Sequence, residues 1–198
     1  MNYNYKSPVG PPKLYDYSAG LQFSILFNLG LCANHKLLDF GCGSLRVGRF
    51  LIQYLNTGNY YGIEPREDLV AEGIKGNHLQ ELVNHKKPHL RISGDCNMAA
   101  FNIIFDYILA YSIFTHMPIV QIRASLKSAY NAMDTNTIFL ATYFEGKVDN
   151  ELKDWNPTGI YYKRDTMSRL IQENNLISTR LNLTGSGGQC WLLIRRPS

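Results

Sequence analysis

Three segments have residue types and spacing that suit a ligand carrying hydroxyl groups and charge. Residues 39–43 (DFGCG) follow an apolar segment, and their glycines let the backbone turn sharply and approach a ligand, because glycine has no Cβ atom. Glu64 follows a second apolar segment 25 residues after Asp39. This is close to the interval at which an acidic residue accepts hydrogen bonds from ribose hydroxyls. Asp95 follows a third segment, where a carboxylate can contact an exocyclic amine.

Each segment also has a structural alternative. The glycines suit a tight strand-to-helix connection, Glu64 suits a capping role before a proline, and Asp95 suits a helix N-cap, the role that Asp alone more often has. Other nucleotide-binding patterns fit less well. Arg46 stands where a nicotinamide-dependent dehydrogenase has the third glycine of GxGxxG, and the sequence has no GKS or GKT phosphate loop. The carboxylate of Asp39 favours a positively charged ligand over a pyrophosphate, because like charges repel.

Hydrophobic periodicity predicts alternating helices and strands that would position these segments. The predicted strands are residues 37–40, 60–63, 89–92, 105–110, 137–144, 176–183 and 189–195. The predicted helices are residues 14–31, 45–55, 67–82, 118–133 and 164–174. The alternation indicates an α/β fold with a Rossmann-like, doubly wound, mostly parallel seven-stranded sheet, closed by a C-terminal antiparallel hairpin across residues 184–188. In such sheets ligands bind at the carboxyl ends of the strands, where the three segments lie.

With these segments in place, the sequence resembles the class I S-adenosylmethionine-dependent methyltransferases over residues 15–195. Residues 37–43 look like the family's first motif, residues 61–65 its second, residues 94–96 its third and residues 105–112 its fourth. The resemblance implies S-adenosylmethionine as the cofactor. The cofactor-binding residues that it implies are Asp39, Gly41, Cys42 and Gly43 around the methionine part, Glu64 on the ribose, Asp95 and Cys96 at the adenine, and Tyr111.

One position departs from the family pattern. Leu45 stands where many members have a third glycine, so we expect the loop to be less open on that side without losing the cofactor. The resemblance implies methyl transfer to an oxygen or nitrogen atom of a small-molecule or glycan-like acceptor. One alternative is an RNA or protein methyltransferase, which the net charge of +4 motivates. The other is a non-catalytic cofactor-binding scaffold protein.

The acceptor side is less defined by the sequence. His116 is the candidate general base, because histidine titrates near neutral pH, but a capping or packing role is the alternative that the sequence favours slightly. Tyr15, Trp155 and Tyr161 are candidates for the acceptor pocket, with ordinary core packing as the alternative for each ring. Residues 110–113 (AYSI) lack the Asn/Asp-Pro-Pro-Tyr/Phe box of methyltransferases that act on bases and glutamine amides. No compact set of Asp or Asn residues indicates a metal site.

The amino-acid composition is typical of a folded domain. The chain has 198 residues, of which 45% are hydrophobic and 18% charged, and this combination disfavours intrinsic disorder. We predict a single methyltransferase domain over residues 1–198. Residues 1–36 would form an N-terminal cap that includes Tyr3, residues 37–144 the cofactor-binding half, and residues 145–198 the acceptor loop and closing hairpin.

Charge, hydropathy and cysteines narrow the partners and the compartment. A net charge of +4 is mild for a nucleic-acid binder, so we expect a small-molecule acceptor and no nucleic acid. No segment is long and apolar enough to predict a membrane span, and the N-terminus lacks the apolar part of a signal peptide. The four cysteines form no CxxC pair, which disfavours structural zinc and a disulfide framework. We therefore expect a cytoplasmic protein.

Overall fold

The computed structural model describes residues 4–150, 152–184 and 186–197. They form two compact units, which divide after Gly94. Tyr3 of the expected cap and Gly185 of the expected hairpin connection lie outside the described residues. Within the described part of the chain, no helix has the length and apolarity needed to cross a membrane.

The first unit, described over residues 4–94, combines parallel strands with helices. Its elements in chain order are α1 (Tyr15–Asn28), β1 (Leu37–Phe40), α2 (Gly48–Tyr54), β2 (Tyr60–Glu64), α3 (Glu67–Gly76), α4 (Gln80–Lys86) and β3 (His89–Ile92). The strands are parallel in the order β3-β2-β1, with Leu38 opposite Tyr61 and Ile63 opposite Arg91. β1 and β2 are buried along their whole length, as their apolar sequences predict for parallel strands.

Two helices of this unit differ from the sequence-based boundaries. The helix predicted over residues 67–82 is two helices, α3 and α4. The side chain of Asn77 donates a hydrogen bond to the carbonyl of Gly73 at 2.8 Å, and His78 has φ +55°, a left-handed conformation that interrupts the helix. The helix predicted from residue 45 begins at Gly48, because residues 41–47 form the turn after β1.

The second unit is described over residues 95–150, 152–184 and 186–197. Its elements are β4 (Tyr107–Ala110), α5 (Ile119–Asn131), β5 (Ile138–Glu145), β6 (Tyr161–Tyr162), α6 (Arg164–Glu173), β7 (Ile177–Thr184) and β8 (Cys190–Arg195). β4 and β5 are parallel, and β8 lies antiparallel between β5 and β7. β7 and β8 are thus paired as predicted for the closing hairpin. β6, a two-residue strand parallel to β5, was not predicted from the sequence.

Candidate functional site

The loop after β1 bends sharply because three of its residues adopt left-handed backbone conformations. φ is +78° at Gly41, +56° at Gly43 and +58° at Leu45. The backbone amides of Gly41 and Cys42 both donate to the carbonyl of Ile63, at 2.8 and 3.1 Å. The loop that carries the first group of expected cofactor residues is therefore held against the end of β2.

Leu45 shows how the chain accommodates the missing third glycine. A left-handed conformation costs a non-glycine residue roughly 1–2 kcal/mol. Burial of the Leu45 side chain, which has 0% exposure, offsets this cost. A Cβ atom on Gly48 would lie 3.0 Å from Leu45 Cδ2, so the leucine side chain fills this side of the turn where a glycine would leave space.

Glu64, the last residue of β2, accepts a hydrogen bond from the glycine loop. Its Oε2 atom accepts the backbone N–H of Gly43 at 3.1 Å, and its Oε1 atom accepts the backbone N–H of Arg66 at 3.1 Å. Glu64 is only 7% exposed, and burial raises the pKa of its carboxyl although both backbone hydrogen bonds oppose the rise. The structure therefore brings together the loop and the acidic residue that the sequence assigned to one ligand.

Asp39, the other acidic residue of this group, lies inside the sheet. It is 4% exposed, and its Oδ2 atom accepts a hydrogen bond from the Tyr60 hydroxyl at 2.8 Å. Burial raises the pKa of Asp39 to about 6, against the opposing effects of the Tyr60 hydrogen bond and the charge of Arg46. A buried carboxylate of this kind is stabilised by a nearby positive charge.

The raised pKa of Asp39 predicts a pH-dependent loss of stability. Because native Asp39 titrates near 6 and its ordinary value is 3.8, the folded protein binds more protons than the unfolded chain between these values. The free energy of unfolding therefore falls as pH rises through this window. Asp39→Asn is expected to reduce the difference in unfolding free energy between pH 4.5 and pH 7.5 by about 2 kcal/mol.

Urea unfolding of both proteins at the two pH values measures this effect. Asp154→Asn, at an exposed position, is the matched control and should retain the wild-type difference. An Asp39→Asn protein with the same pH dependence as the wild type would show that Asp39 is not the group responsible.

Tyr15, an expected acceptor-pocket residue, is 1% exposed in the first unit. Its hydroxyl donates to the carbonyl of Ser44 at 3.2 Å and accepts a hydrogen bond from Asn77 Nδ2 at 3.0 Å. Asn77 Nδ2 also lies 3.1 Å from the same carbonyl. Tyr15 thus supports the loop after β1, and its role toward an acceptor stays a prediction.

Three contacts to β1 and the loop after it were not predicted from the sequence. Tyr60 reaches Asp39, Asn77 reaches Ser44, and the segment before α1 covers Gly43. A Cβ atom on Gly43 would lie 2.6 Å from Val9 Cγ1. Each contact joins residues more than 20 positions apart, so local sequence patterns do not predict it. The one sequence signal was the hydroxyl of Tyr60, a polar group within an apolar strand that needs a hydrogen-bond partner.

Asp95 and Cys96, the expected adenine residues, begin the second unit. Asp95 is exposed, and its Oδ1 atom accepts the backbone N–H of Asn97 at 3.1 Å in a local turn, but no helix begins here among the described residues, so the expected alternative of a helix N-cap is not what the structure shows. Cys96 has φ +56° and is 9% exposed, and burial raises the pKa of its thiol. The structure shows their local geometry, and their contact with adenine stays a prediction.

His116 has a defined orientation after β4. Its Nδ1 atom lies 2.8 Å from the carbonyl oxygen of Asn156, which only accepts hydrogen bonds, so Nδ1 carries a proton. In the neutral ring Nε2 is then free to accept a proton. The His116 ring stacks on Trp155, with centroids 5.2 Å apart, which brings the candidate base and one candidate pocket residue together.

The segment that carries Trp155 is anchored to the residues around His116. The backbone amide of Asn156 donates to the His116 carbonyl at 3.0 Å, and that of Ile160 donates to the Thr115 carbonyl at 2.7 Å. Trp155 is nevertheless 47% exposed, so its ring presents an apolar surface.

The remaining candidates of the second unit lie beside other aromatic rings. Tyr161 is 44% exposed and stacks on Phe144 with centroids 5.0 Å apart. Tyr111, an expected cofactor residue, is 6% exposed, and its ring centroid lies 5.1 Å from that of Trp191. The Tyr161–Phe144 pair therefore presents apolar surface, whereas the Tyr111–Trp191 pair is buried.

Comparison with known proteins supplies independent findings. A family model described as a methyltransferase domain matches residues 38–139. The fold is similar to that of the magnesium protoporphyrin IX methyltransferase of Synechocystis PCC 6803, solved with bound S-adenosylmethionine (TM-score 0.71, 14% identity, covering 100% of this chain and 85% of that one). It is also similar to an S-adenosylmethionine-dependent methyltransferase of Clostridium acetobutylicum (TM-score 0.68, 13% identity, 93% and 92% covered).

A third similar structure is a glycopeptide N-methyltransferase complexed with sinefungin (TM-score 0.67, 10% identity, 91% and 94% covered). The sequence matches no curated protein. At these identities the structural likeness establishes the fold. It confirms the predicted Rossmann-like α/β class, with parallel strands and antiparallel C-terminal strands.

Proposed function

We propose that this chain transfers a methyl group to an oxygen or nitrogen atom of a small-molecule or glycan-like acceptor. The chain belongs to the methyltransferase-domain family and is an S-adenosylmethionine-dependent methyltransferase. The observation that carries the proposal is the hydrogen bond from the Gly43 backbone N–H to the Glu64 carboxylate. It places a carboxylate that suits ribose hydroxyls directly beside the glycine loop. The names of two neighbours, a porphyrin and a glycopeptide methyltransferase, support an acceptor other than nucleic acid. We also propose a cytoplasmic location, because the scattered cysteines disfavour a disulfide framework.

The residues of the first unit fit this cofactor. Each carboxylate oxygen of Glu64 accepts one backbone hydrogen bond and has a second lone pair, so it can also accept a ribose hydroxyl. Asp39 is a buried carboxylate that a cation would stabilise. When bound, S-adenosylmethionine supplies an electrophilic methyl group on a positively charged sulfur.

The chain's own residues then orient the acceptor and accept a proton from it where the attacking atom must lose one. Orientation accounts for much of the rate in such displacements, because it replaces a chance encounter by a fixed approach. His116 is the residue that we propose as the base. Its protonated Nδ1 is held by the Asn156 carbonyl, which leaves Nε2 as the proton-accepting atom.

Calorimetry with S-adenosylmethionine and S-adenosylhomocysteine, followed by a labelled-methyl screen of small hydroxyl and amine compounds, tests the proposal. We expect both nucleosides to bind and the label to appear on a small acceptor. Absence of binding to either nucleoside would overturn the cofactor assignment. Turnover of RNA alone, with strongly salt-dependent RNA binding, would overturn the acceptor class.

The role of His116 has its own test. His116→Ala is expected to lower kcat about 100-fold and to remove the pH dependence of kcat, because general-base catalysis contributes factors of this size. His116→Asn retains an N–H group that can reach the Asn156 carbonyl, so it should be as slow as the alanine variant if proton removal is the role. Steady-state kinetics from pH 6 to 9 measure both variants.

His85→Ala, at an exposed position on α4, is the matched control and should behave as the wild type. Recovery of turnover by His116→Asn would indicate that the ring only positions the loop. Unchanged kinetics of His116→Ala would remove any role in the reaction.

A further inference from the structure

Two buried polar atoms of the second unit have no hydrogen-bond partner among the described residues. They are Oε1 of Gln189 and Nε1 of Trp191. Gln189 is 7% exposed and Trp191 is 0% exposed, so bulk water does not solvate either group in this structure. Because an unpaired buried polar group is costly, such groups are normally paired with protein, ordered water or a ligand.

The orientation of Gln189 is set by Ser112. The amide nitrogen of Gln189 donates to Ser112 Oγ at 3.0 Å, which leaves the amide oxygen as the unpaired atom. Ser112 has φ +62°, a conformation that a non-glycine residue keeps only where its surroundings hold it. Its backbone amide donates to Thr142 Oγ1 at 2.7 Å, and this hydrogen bond from β5 holds it in place.

This cluster, defined as Ser112, Thr142 and Gln189, adjoins the candidate base. Ser112 Oγ lies 3.4 Å from Thr115 Oγ1, and Thr115 directly precedes His116 in the chain. Ser112 follows β4, Thr142 lies in β5 and Gln189 precedes β8. The unpaired oxygen of Gln189 is thus part of the strand-end region of this unit that carries the proposed acceptor residues.

The surroundings of the cluster specify the kind of group that it accepts. Its hydrogen-bonding side chains are hydroxyl and amide groups, which are uncharged and suit a neutral polar group. Tyr111 directly precedes Ser112 and Trp191 follows Gln189 by two residues, and their buried rings, with centroids 5.1 Å apart, make the surroundings of the cluster apolar and aromatic, which suits an aromatic body. Pockets for small ligands combine these two features, an apolar wall and a few oriented polar groups.

We infer that Gln189 is a specificity-determining residue of the acceptor site: its Oε1 atom accepts a hydrogen bond from the hydroxyl or amine group of a neutral aromatic acceptor. Ser112 is a positioning residue, since it acts by orienting the Gln189 amide. The inference rests on the proposed function, because it names the substrate class of the same site.

Binding of small probes to the protein tests this inference without knowledge of the natural acceptor. The chain has two tryptophans, so Trp155→Phe leaves Trp191, two residues after Gln189, as the only tryptophan, and its emission is excited selectively at wavelengths that tyrosine and the probes do not absorb. In this background phenol, anisole and toluene are titrated and Trp191 emission is recorded. Phenol donates and accepts hydrogen bonds, anisole only accepts, and toluene does neither. We expect phenol to bind about tenfold more tightly than the other two, equivalent to about 1.4 kcal/mol.

Gln189→Met in the same background should weaken phenol binding about tenfold and remove the difference among the probes. Gln189→Glu retains an acceptor oxygen and should preserve the preference for phenol. Gln172→Met, at an exposed position on α6, is the matched control and should leave all three affinities unchanged.

The outcomes separate this inference from the proposed function. Anisole binding as tightly as phenol, equal or absent binding of the three probes, or an unchanged preference after Gln189→Met would overturn the role of Gln189. Calorimetry with S-adenosylhomocysteine on the same proteins reports the cofactor site independently. If the wild-type chain does not bind S-adenosylhomocysteine, the proposed function is overturned instead.

Discussion

Glu64→Ala is expected to raise the Kd for S-adenosylhomocysteine at least about 100-fold. With Glu64 on the ribose, as we propose, the variant removes two hydrogen bonds from ribose hydroxyls to a carboxylate, and hydrogen bonds to charged groups contribute roughly 1.5–3 kcal/mol each. The variant also removes the acceptor of the Gly43 backbone N–H, which lies 3.1 Å from Oε2 in the wild type. We therefore expect the loop and the proposed ribose contact to weaken together, and calorimetry measures the combined effect.

Two further variants make this result specific. Glu64→Gln keeps the shape and one accepting oxygen, so its loss of affinity is expected to be about tenfold, intermediate between the wild type and the alanine variant. Glu67→Ala removes an exposed carboxylate in the first turn of α3 and is the matched control, with wild-type affinity expected. Nucleoside binding by Glu64→Ala within threefold of the wild type would contradict the ribose assignment.

Gly73→Ala is expected to lower the free energy of unfolding by about 3–5 kcal/mol, which is at the upper end for overpacking. Gly73 lies in the interior of α3, and a Cβ atom there would be 2.4 Å from the carbonyl oxygen of Ser44 and 2.7 Å from its Cα. These are backbone atoms, so no side-chain rotation relieves the contact. The expected fall in Tm, measured by calorimetry or circular dichroism, is roughly 10 °C.

Gly20→Ala is the matched control, because Gly20 also lies inside a helix but a Cβ atom on it meets nothing within 4 Å. It is expected to stabilise the protein by about 0.5–1 kcal/mol, since alanine has the higher helix propensity. A Gly73→Ala protein as stable as Gly20→Ala would show that α3 and the loop after β1 are not packed as described. Weakened nucleoside binding by Gly73→Ala would follow from the displacement of Ser44.

Asp39 connects stability with the proposed chemistry. Its burial raises its pKa and costs stability above pH 6, yet the same burial strengthens its attraction to a cation. Groups with perturbed pKa values concentrate at functional sites for this reason. The stability lost to the ionised carboxylate is therefore consistent with a site that binds a positively charged cofactor.

The alternation of strands and helices was predictable because it depends on local apolar periodicity. β1 and β3 match the predicted residues 37–40 and 89–92, and the three ligand segments fall at the ends of β1, β2 and β3. The break between α3 and α4 was not predictable. It involves Asn77, whose side chain also bonds to Ser44, a residue 33 positions away in the loop.

The amino-acid pattern alone was sufficient for the family, for the alternation of strands and helices apart from α4 and β6, and for the positions of Asp39, the glycines and Glu64. Folding added the partners of each side chain: Tyr60 on Asp39, the Asn156 carbonyl on His116, and Ser112 on Gln189. Periodicity acts over neighbouring residues, whereas these contacts join residues from 21 to 77 positions apart. Such contacts form only when packing brings distant segments together, and they decide the protonation, tautomer and orientation on which the proposed chemistry depends.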